Sequence, residues 1–165
     1  MAELILARVK ELLHYDPETG AWTQKTRRKG SGLIPGEPAG CIAPSGYLMI
    51  GIDYRRYRAH RLAWLWMTGE MPANVDHING NRADNRWGNL RVADQSQNTA
   101  NSKRSKANTS GFKGVSRHWP SGKWQAGIVK NRRRQYLGLF ETPKQAHDAY
   151  CVKAKEIYGE FARTE

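Results

Sequence analysis

The stretch VDHINGNRADNRWGNLR (Val75–Arg91) sets an adjacent Asp and His inside a run rich in Asn and Gly. Asp76 offers a hard anionic oxygen of the kind that Mg²⁺ prefers, and His77 titrates near neutral pH and can act as a general base. Neighbours on an extended segment point to opposite faces, so one side chain would face a metal and the other a water. Asn89 can hold one tautomer of an imidazole, and Asn98 offers a neutral oxygen as a second ligand. The same residue types also suit a solvated turn, and the residues alone leave both interpretations open.

The sequence before and after this stretch predicts a mixed α+β domain. Apolar residues recur with helical spacing over 3–14, a strand begins at Trp22, and residues rich in Gly, Pro, Lys and Arg predict a loop over 26–46. Further along, the patterns predict a hairpin turning at Asp53 between 47–52 and 54–59, a helix over 60–68, and a helix over 92–101.

The last third of the chain has a different sequence pattern. Three strand-like runs cover 112–117, 123–130 and 135–140, separated by turn sequences. Thr142, Pro143 and Gln145 then have the spacing of a helix N-cap, first helical residue and capping box. The sequence therefore predicts a three-stranded antiparallel sheet packed on one helix, preceded by a polar, basic linker over 102–110.

The charge of the chain is concentrated in this last third. The formal net charge is +12 and the pI is near 10.0, yet no acidic residue lies between Asp94 and Glu141. The same interval holds ten basic residues: Lys103, Arg104, Lys106, Lys113, Arg117, Lys123, Lys130, Arg132, Arg133 and Arg134. Interleaved with aromatic residues, such a run favours a surface for a polyanion over a merely solubilising face.

Several classes are excluded by composition. The longest apolar run, Leu62–Met67, is far shorter than the roughly 20 residues that a membrane span needs. Cys41 and Cys151 lie far apart without a CxxC pair, which argues against a disulfide framework and against a structural zinc site. We therefore expect a soluble intracellular protein.

The segment DHINGN…DNRWGNLR…QSQN, with the preceding HRLAW (60–64), resembles the HNH motif of phage-type homing endonucleases, in the variant whose final His is Asn. The resemblance covers residues 1–101 and implies a ββα-metal fold. It implies that His77 is the general base, that Asn89 orients it, and that Asp76 and Asn98 hold one divalent metal ion, Mg²⁺ with Mn²⁺ as a substitute. His60 is interpreted as a hydrogen-bonded structural residue.

Residues 111–162 resemble the DNA-binding domain of the plant ethylene-response-factor (Apetala-type) regulators, through Gly114-Val115, Gly122-Lys123-Trp124 and Tyr136-Leu137-Gly138. That resemblance implies a sheet lying in the major groove. Ser116, Gly127 and Val129 stand where the plant proteins have charged residues that contact the DNA bases. The DNA target sequence of the plant proteins is therefore not assigned to this chain. With the basic and aromatic residues of the unit, the implied DNA-binding set is Lys113, Arg117, His118, Trp119, Lys123, Gln125, Lys130, Arg132, Arg133, Arg134 and Tyr136.

Together these features predict a metal-dependent endonuclease that cuts double-stranded DNA. The expected domains are an HNH endonuclease over 1–101, a linker over 102–110 and a DNA-binding domain over 111–162. One active site per chain favours a monomer that nicks, in the cytoplasm of a bacterial host of a phage or prophage. The alternative is a non-catalytic, sequence-specific DNA-binding protein that retains an inactive HNH fold.

Overall fold

A computed structural model describes residues 2–27 and 34–164 of the chain. The chain divides into two compact units, Met1–Val92 and Ala93–Glu165. Both contain helices and antiparallel strands, so the predicted mixed α+β class is confirmed. The division falls before residue 101, where the sequence places the end of the first domain; the domain limits stay a prediction. Of the predicted loop over 26–46, residues 28–33 lie outside the described part.

In its described residues, the first unit contains two α-helices, a short 3-10 helix (Trp87–Asn89) and seven short strands. Its elements are α1 (Ala2–Leu12), β1 (Leu13–Tyr15), β2 (Trp22–Gln24), β3 (Cys41–Ile42), β4 (Leu48–Ile52), β5 (Arg55–Arg58), α2 (Ala59–Thr68), β6 (Val75–His77) and β7 (Leu90–Val92). They form three antiparallel groups, β1-β2, β3-β4-β5 and β6-β7. The first helix ends earlier than predicted because Leu13 and Tyr15 are buried while His14 is exposed, which is the two-residue alternation of a strand.

Local backbone chemistry fixes the β4–β5 hairpin and the helix after it. Asp53 and Tyr54 both have positive φ, 45° and 64°, as a two-residue hairpin turn requires, and the turn lies where the sequence predicts it. Helix α2 follows β5 directly and ends at Gly69, whose φ of 78° gives a left-handed cap.

The core of the first unit packs against the segment that follows β6. Tyr15 and Trp22 stack with ring centroids 4.8 Å apart, and both are buried among residues of α1, α2 and β4. The Tyr15 hydroxyl donates a hydrogen bond of 2.7 Å to the backbone carbonyl of Asn85. A Cβ on Gly20 would lie 2.4 Å from the backbone nitrogen of Arg86, so only glycine allows this approach.

The second unit contains two α-helices and one sheet. Its elements are α3 (Gln95–Ala100), β8 (Val115–Arg117), β9 (Trp124–Lys130), β10 (Arg133–Phe140) and α4 (Pro143–Tyr158). The strands form an antiparallel sheet in the order β8-β9-β10. Helix α4 has the predicted capping box, with Thr142 accepting from the backbone of Gln145 and the Gln145 side chain accepting from the backbone of Thr142.

One face of the sheet is apolar and contacts α4. Ala126 and Ile128 of β9 are buried, in clusters that include Ala146, Tyr150 and Ala154 of α4. Residues 102–110, interpreted as a linker from their composition, form hydrogen bonds within the second unit. The Asn108 amide, for example, donates to the carbonyls of Phe112 and Val115.

Gly114 gives a direct test of this packing. Its φ is +76°, and a Cβ there would lie 2.0 Å from the ring of Tyr150. We expect Gly114→Ala to lower the free energy of unfolding by about 2–5 kcal/mol, from backbone strain plus overpacking. Gly122→Ala is the matched control, since φ is +69° but nothing lies within 4 Å; it should cost about 1–2 kcal/mol. Urea unfolding followed by circular dichroism measures both, and equal losses would contradict the packing.

Candidate active site

Asp76 and His77 are the last two residues of β6, in a hairpin with β7. Asp76 pairs with Arg91 and His77 with Leu90 in the strand register. Both side chains are deeply buried, with 6% of Asp76 and 3% of His77 exposed. An ionisable pair so far from water needs polar partners, and the surrounding residues supply them.

The carboxylate of Asp76 contacts Arg91. Nε and Nη2 of Arg91 each lie 3.2 Å from Oδ2 of Asp76, and both side chains are largely buried. The arginine neutralises the carboxylate where solvent cannot. A divalent cation bound by Asp76 would therefore share this carboxylate with a guanidinium.

His77 lies between two aromatic rings and an amide. Its ring centroid is 4.8 Å from that of His60, edge to face, and 6.0 Å from that of Tyr47. Its Nε2 lies 3.4 Å from Oδ1 of Asn85, and the Asn85 amide donates from Nδ2 to the carbonyl of Ala83 at 3.0 Å. Because that bond fixes the orientation of the amide, Nε2 is the nitrogen that carries the proton and Nδ1 carries the lone pair.

The burial of His77 also sets its charge. Burial lowers the pKa of His77 below its usual value, against the smaller opposing effects of the Asn85 contact and the charge of Asp76. The imidazole is thus neutral at pH 7, which is the form able to accept a proton.

His60 differs from its sequence interpretation as a satisfied structural residue. It is 2% exposed, and its Nδ1 has no hydrogen-bond partner within residues 2–27 and 34–164. Burial lowers the pKa of His60 to about 3, helped by the charges of His77, Arg58 and Arg61. It is a neutral ring packed against His77, and the interpretation as a hydrogen-bonded residue is corrected accordingly.

Asn89 holds the loop between β6 and β7. Its Oδ1 accepts from the backbone of Asn79 at 3.0 Å, and its Nδ2 donates to Asn79 Oδ1 at 3.1 Å and to the Asp84 carbonyl at 2.8 Å. Asn79 and Asn81 form Asx turns, in which Oδ1 of each accepts from the backbone N–H two residues further on. The contact with the imidazole comes from Asn85, so any orientation of His77 by Asn89 acts through the loop.

The structure separates the predicted metal ligands by unit. Asn98 lies on α3, which belongs to the second unit, whereas Asp76 belongs to the first. Helix α3 is capped by Asp94 and Gln97, and Ala100 at its end joins the cluster of Tyr150 and Tyr158. The pairing of Asn98 with Asp76 stays a prediction from the resemblance.

The open face of the second unit's sheet carries several of the predicted DNA contacts. Strand register places Arg134 opposite Val129, Tyr136 opposite Gly127 and Gln125 opposite Ser116, all on the face away from α4. Tyr136 and Trp119 are 60% and 81% exposed. Lys130, Arg132 and Arg133 are exposed around the β9–β10 turn.

Other members of the predicted DNA-binding set make contacts within the protein. The guanidinium of Arg117 lies 5.5 Å and 5.7 Å from the rings of Trp119 and Trp124. Lys123 pairs with Glu141, and the His118 Nδ1 lies 2.8 Å from the Ser121 hydroxyl.

Lys113, another member of the predicted DNA-binding set, also makes contacts within the second unit. Its ammonium donates to the carbonyls of Ala100, Ser102 and Arg163 at 2.5, 2.7 and 3.1 Å, and burial lowers its pKa to about 8. The three N–H groups of the ammonium are thus directed at three backbone carbonyls. Lys113 bonds to the end of α3, and its role as a DNA contact stays a prediction.

Three residues beside His77 were not found by sequence reasoning. Asn85 was assigned only to the loop, and Tyr47 and Arg82 were given no role. Tyr47 is distant along the chain from Arg82 and Asn85, and no spacing rule connects the three positions to His77. Only the folded arrangement brings them to one imidazole.

Comparisons with known proteins identify the family. Residues 57–100 match the family model described as HNH endonuclease. The chain is 34% identical over 124 residues, 73% of its length, to an uncharacterized HNH endonuclease of Acanthamoeba polyphaga mimivirus, and this match spans 63% of that protein. It is 30% identical over 112 residues, 67% of its length, to Protein 3.8 of Escherichia phage T7, 92% of which is covered. The chain belongs to the HNH endonuclease family.

A separate, shorter similarity involves plant proteins. The chain is 42% identical over 50 residues, 29% of its length, to an AP2-like ethylene-responsive transcription factor of Oryza sativa, of which 8% is covered. No solved structure matches the chain. Within the described residues, none of the helices combines the length and apolar character that crossing a membrane requires.

Membership of the HNH endonuclease family supports a nuclease, and HNH nucleases generally use a divalent metal ion. No group of three or more His, Cys, Asp or Glu able to hold a metal exists within residues 2–27 and 34–164. The carboxylate of Asp76 is a hard oxygen donor of the kind that divalent cations such as Mg²⁺ prefer, so its chemistry fits such an ion.

We expect Asn89→Ala to unfold the loop after β6 without direct loss of a His77 contact. Removal of its three amide hydrogen bonds should cost about 2–3 kcal/mol, and amide exchange should accelerate over residues 78–85. Asn81→Ala is the control, because it removes only an exposed Asx bond and should cost about 0.5 kcal/mol. Hydrogen exchange that stays unchanged in Asn89→Ala would contradict the assigned role.

Proposed function

We propose that the protein is a metal-dependent endonuclease of the homing type that hydrolyses phosphodiester bonds in double-stranded DNA. The observation that carries the proposal is the buried Asp76-His77 strand end, where His77 is held neutral between His60, Tyr47 and Asn85. A ββα-metal arrangement, formed by β6, β7 and α3, belongs to the same proposal.

In this mechanism His77 takes a proton from water through Nδ1. The Asn85 amide holds Nε2–H and so keeps the lone pair on the opposite side of the ring. His60 and Tyr47 pack near the His77 ring, and little of the His77 side chain is exposed to solvent. Asn89 keeps the loop, and with it Asn85, at a fixed distance from β6.

Asp76 and Asn98 are the residues that would hold the divalent ion. When bound, that ion supplies neutralisation of the charge developing on the phosphate and on the departing oxygen. Arg91 orients the Asp76 carboxylate from the neighbouring strand. Mg²⁺ is the proposed ion, with Mn²⁺ as a substitute.

The second unit is proposed to bind DNA through the open face of its sheet. Arg134 and Tyr136 lie on that face, with the exposed cations of the β9–β10 turn beside them. The similarity to AP2-like transcription factors supports the same role. Because Ser116, Gly127 and Val129 carry no charge on this face, phosphate contacts would dominate over contacts with bases.

One catalytic His per chain favours a monomer that cuts one strand. The rival function is a DNA-binding protein whose HNH fold has lost its activity. Incubation with supercoiled plasmid and Mg²⁺ decides between them, with EDTA as the metal-free control. Nicked circles support the proposal, and plasmid that is bound but intact under all conditions supports the rival.

We predict that His77→Ala lowers the rate of plasmid nicking by about 10²–10⁴-fold, because it removes the general base. DNA affinity should stay within about twofold of the parent, since binding rests on the basic surface. His14→Ala, on the exposed side of β1, is the matched control and should cut as the parent does. Nicking by His77→Ala at nearly the parent rate would show that another group activates the water.

We predict that Arg134→Ala weakens DNA binding and flattens its salt dependence. The loss of one phosphate contact should reduce the magnitude of the log K against log[salt] slope by about 0.9. Lys155→Ala is the control, because Lys155 is exposed on α4, which packs on the other face of the sheet. Fluorescence anisotropy with a labelled duplex over a salt series measures both slopes. Equal slopes for both variants would exclude the open face as the binding surface.

A further inference from the structure

Two arginines of the first unit lie over one tyrosine beside His77. Arg58 is the last residue of β5, and Arg82 lies in the loop after β6. Their guanidinium carbons lie 4.7 Å and 4.9 Å from the centroid of the Tyr47 ring. The same ring lies 6.0 Å from the ring of His77. Tyr47 thus packs near both the two cationic side chains and the proposed general base.

The carboxylates of this region bind other arginines. Asp76 pairs with Arg91, and Asp84 pairs with Arg86, which lowers the pKa of Asp84 to about 2. Arg58 and Arg82 form no ion pair with any described residue, within 2–27 and 34–164, and both are exposed. The carboxylates of Asp76 and Asp84 are therefore paired with arginines other than Arg58 and Arg82.

Arg82 is nevertheless held in place. Its Nη1 donates to the carbonyl of Ser45 at 2.9 Å, and its side chain passes over Gly46, whose added Cβ would lie 3.8 Å from it. Stacking on Tyr47 further restricts both guanidinium planes. Ordering two long cationic side chains without a counter-charge costs conformational entropy and like-charge repulsion, and a bound anion offsets both.

We propose that Arg58 and Arg82, ordered on Tyr47, form a clamp for one backbone phosphate of the DNA strand that His77 acts on. A guanidinium presents paired N–H donors that match phosphate oxygens, and two of them hold one phosphate from two directions. The clamp fixes the position of the strand relative to His77. It is separate from the basic surface of the second unit, and it rests on the proposed DNA endonuclease function.

The first test measures binding by the full chain. Arg58→Gln, Arg82→Gln and the double variant are compared with Arg55→Gln, an exposed arginine at the turn end of the same strand. Each clamp variant should lower the magnitude of the salt slope by about 0.9, and the double variant by about 1.8 if both cations bind the phosphate backbone. Arg55→Gln should leave the slope unchanged. An equal loss in Arg55→Gln would mean a diffuse basic surface and would overturn the clamp.

The second test locates the phosphate. Duplexes are prepared in which one phosphate at a time, near the mapped cut, is replaced by a neutral methylphosphonate. In the parent, one such replacement close to the cut should reduce cleavage about tenfold, as expected for the loss of a charged hydrogen-bonded contact. In the double variant the same replacement should change cleavage less than twofold. If the effects of the methylphosphonate and of the double substitution on cleavage multiply at every phosphate position, the assignment is wrong.

The two proposals fail in different ways. If the parent binds but never cuts, the endonuclease function fails, while a lowered salt slope in the clamp variants still supports the phosphate site. If the parent cuts and the clamp variants bind and cut as it does, the clamp fails and the endonuclease function stands. Thermal unfolding of each variant separates both results from misfolding, since an exposed Arg→Gln change should leave it unaltered.

Discussion

The hydrogen bond from the Tyr15 hydroxyl to the Asn85 carbonyl joins the core of the first unit to the loop that serves His77. Burial raises the pKa of Tyr15, so the phenol stays protonated and keeps donating. The buried carbonyl has lost its water, which makes this donor costly to remove. With Gly20 admitting the backbone of residues 85 and 86, the bond fixes Asn85 from the inside of the protein. Asn85 in turn fixes His77.

The order of construction in the first unit runs from apolar burial to catalysis. Helices α1 and α2 bury Tyr15 and Trp22. Tyr15 in turn contacts the loop between β6 and β7 through the Asn85 carbonyl. Asn89 ties the loop to the start of β7 from above. A reactive imidazole needs a fixed position and a fixed tautomer, and the contacts of His77 with Asn85, His60 and Tyr47 contribute to both.

The sequence predicts much of the framework and little of the surroundings of His77. The Asp53 turn, helix α2 and the capping box at Thr142 follow from local rules that need only a few neighbouring residues. Tyr47 packs near His77 from a distant segment, and Asn85 reaches it through the fold of the loop after β6; no local sequence rule specifies either contact. The contacts of Lys113 are equally hidden from the sequence, because three carbonyls from separate segments surround its ammonium only in the folded unit.

The position of α3 has a consequence for how this chain can be recombined. The helix that carries Asn98 is capped by Lys113 and packed on α4 residues, so its conformation is encoded by the second unit's sequence. Replacement of the second unit from the composition break near residue 102 onward would leave α3 without the lysine that bonds to its end. Replacement from residue 93 onward would move α3 together with these contacts. The helix that carries a proposed metal ligand therefore depends on the sequence of the second unit for its conformation.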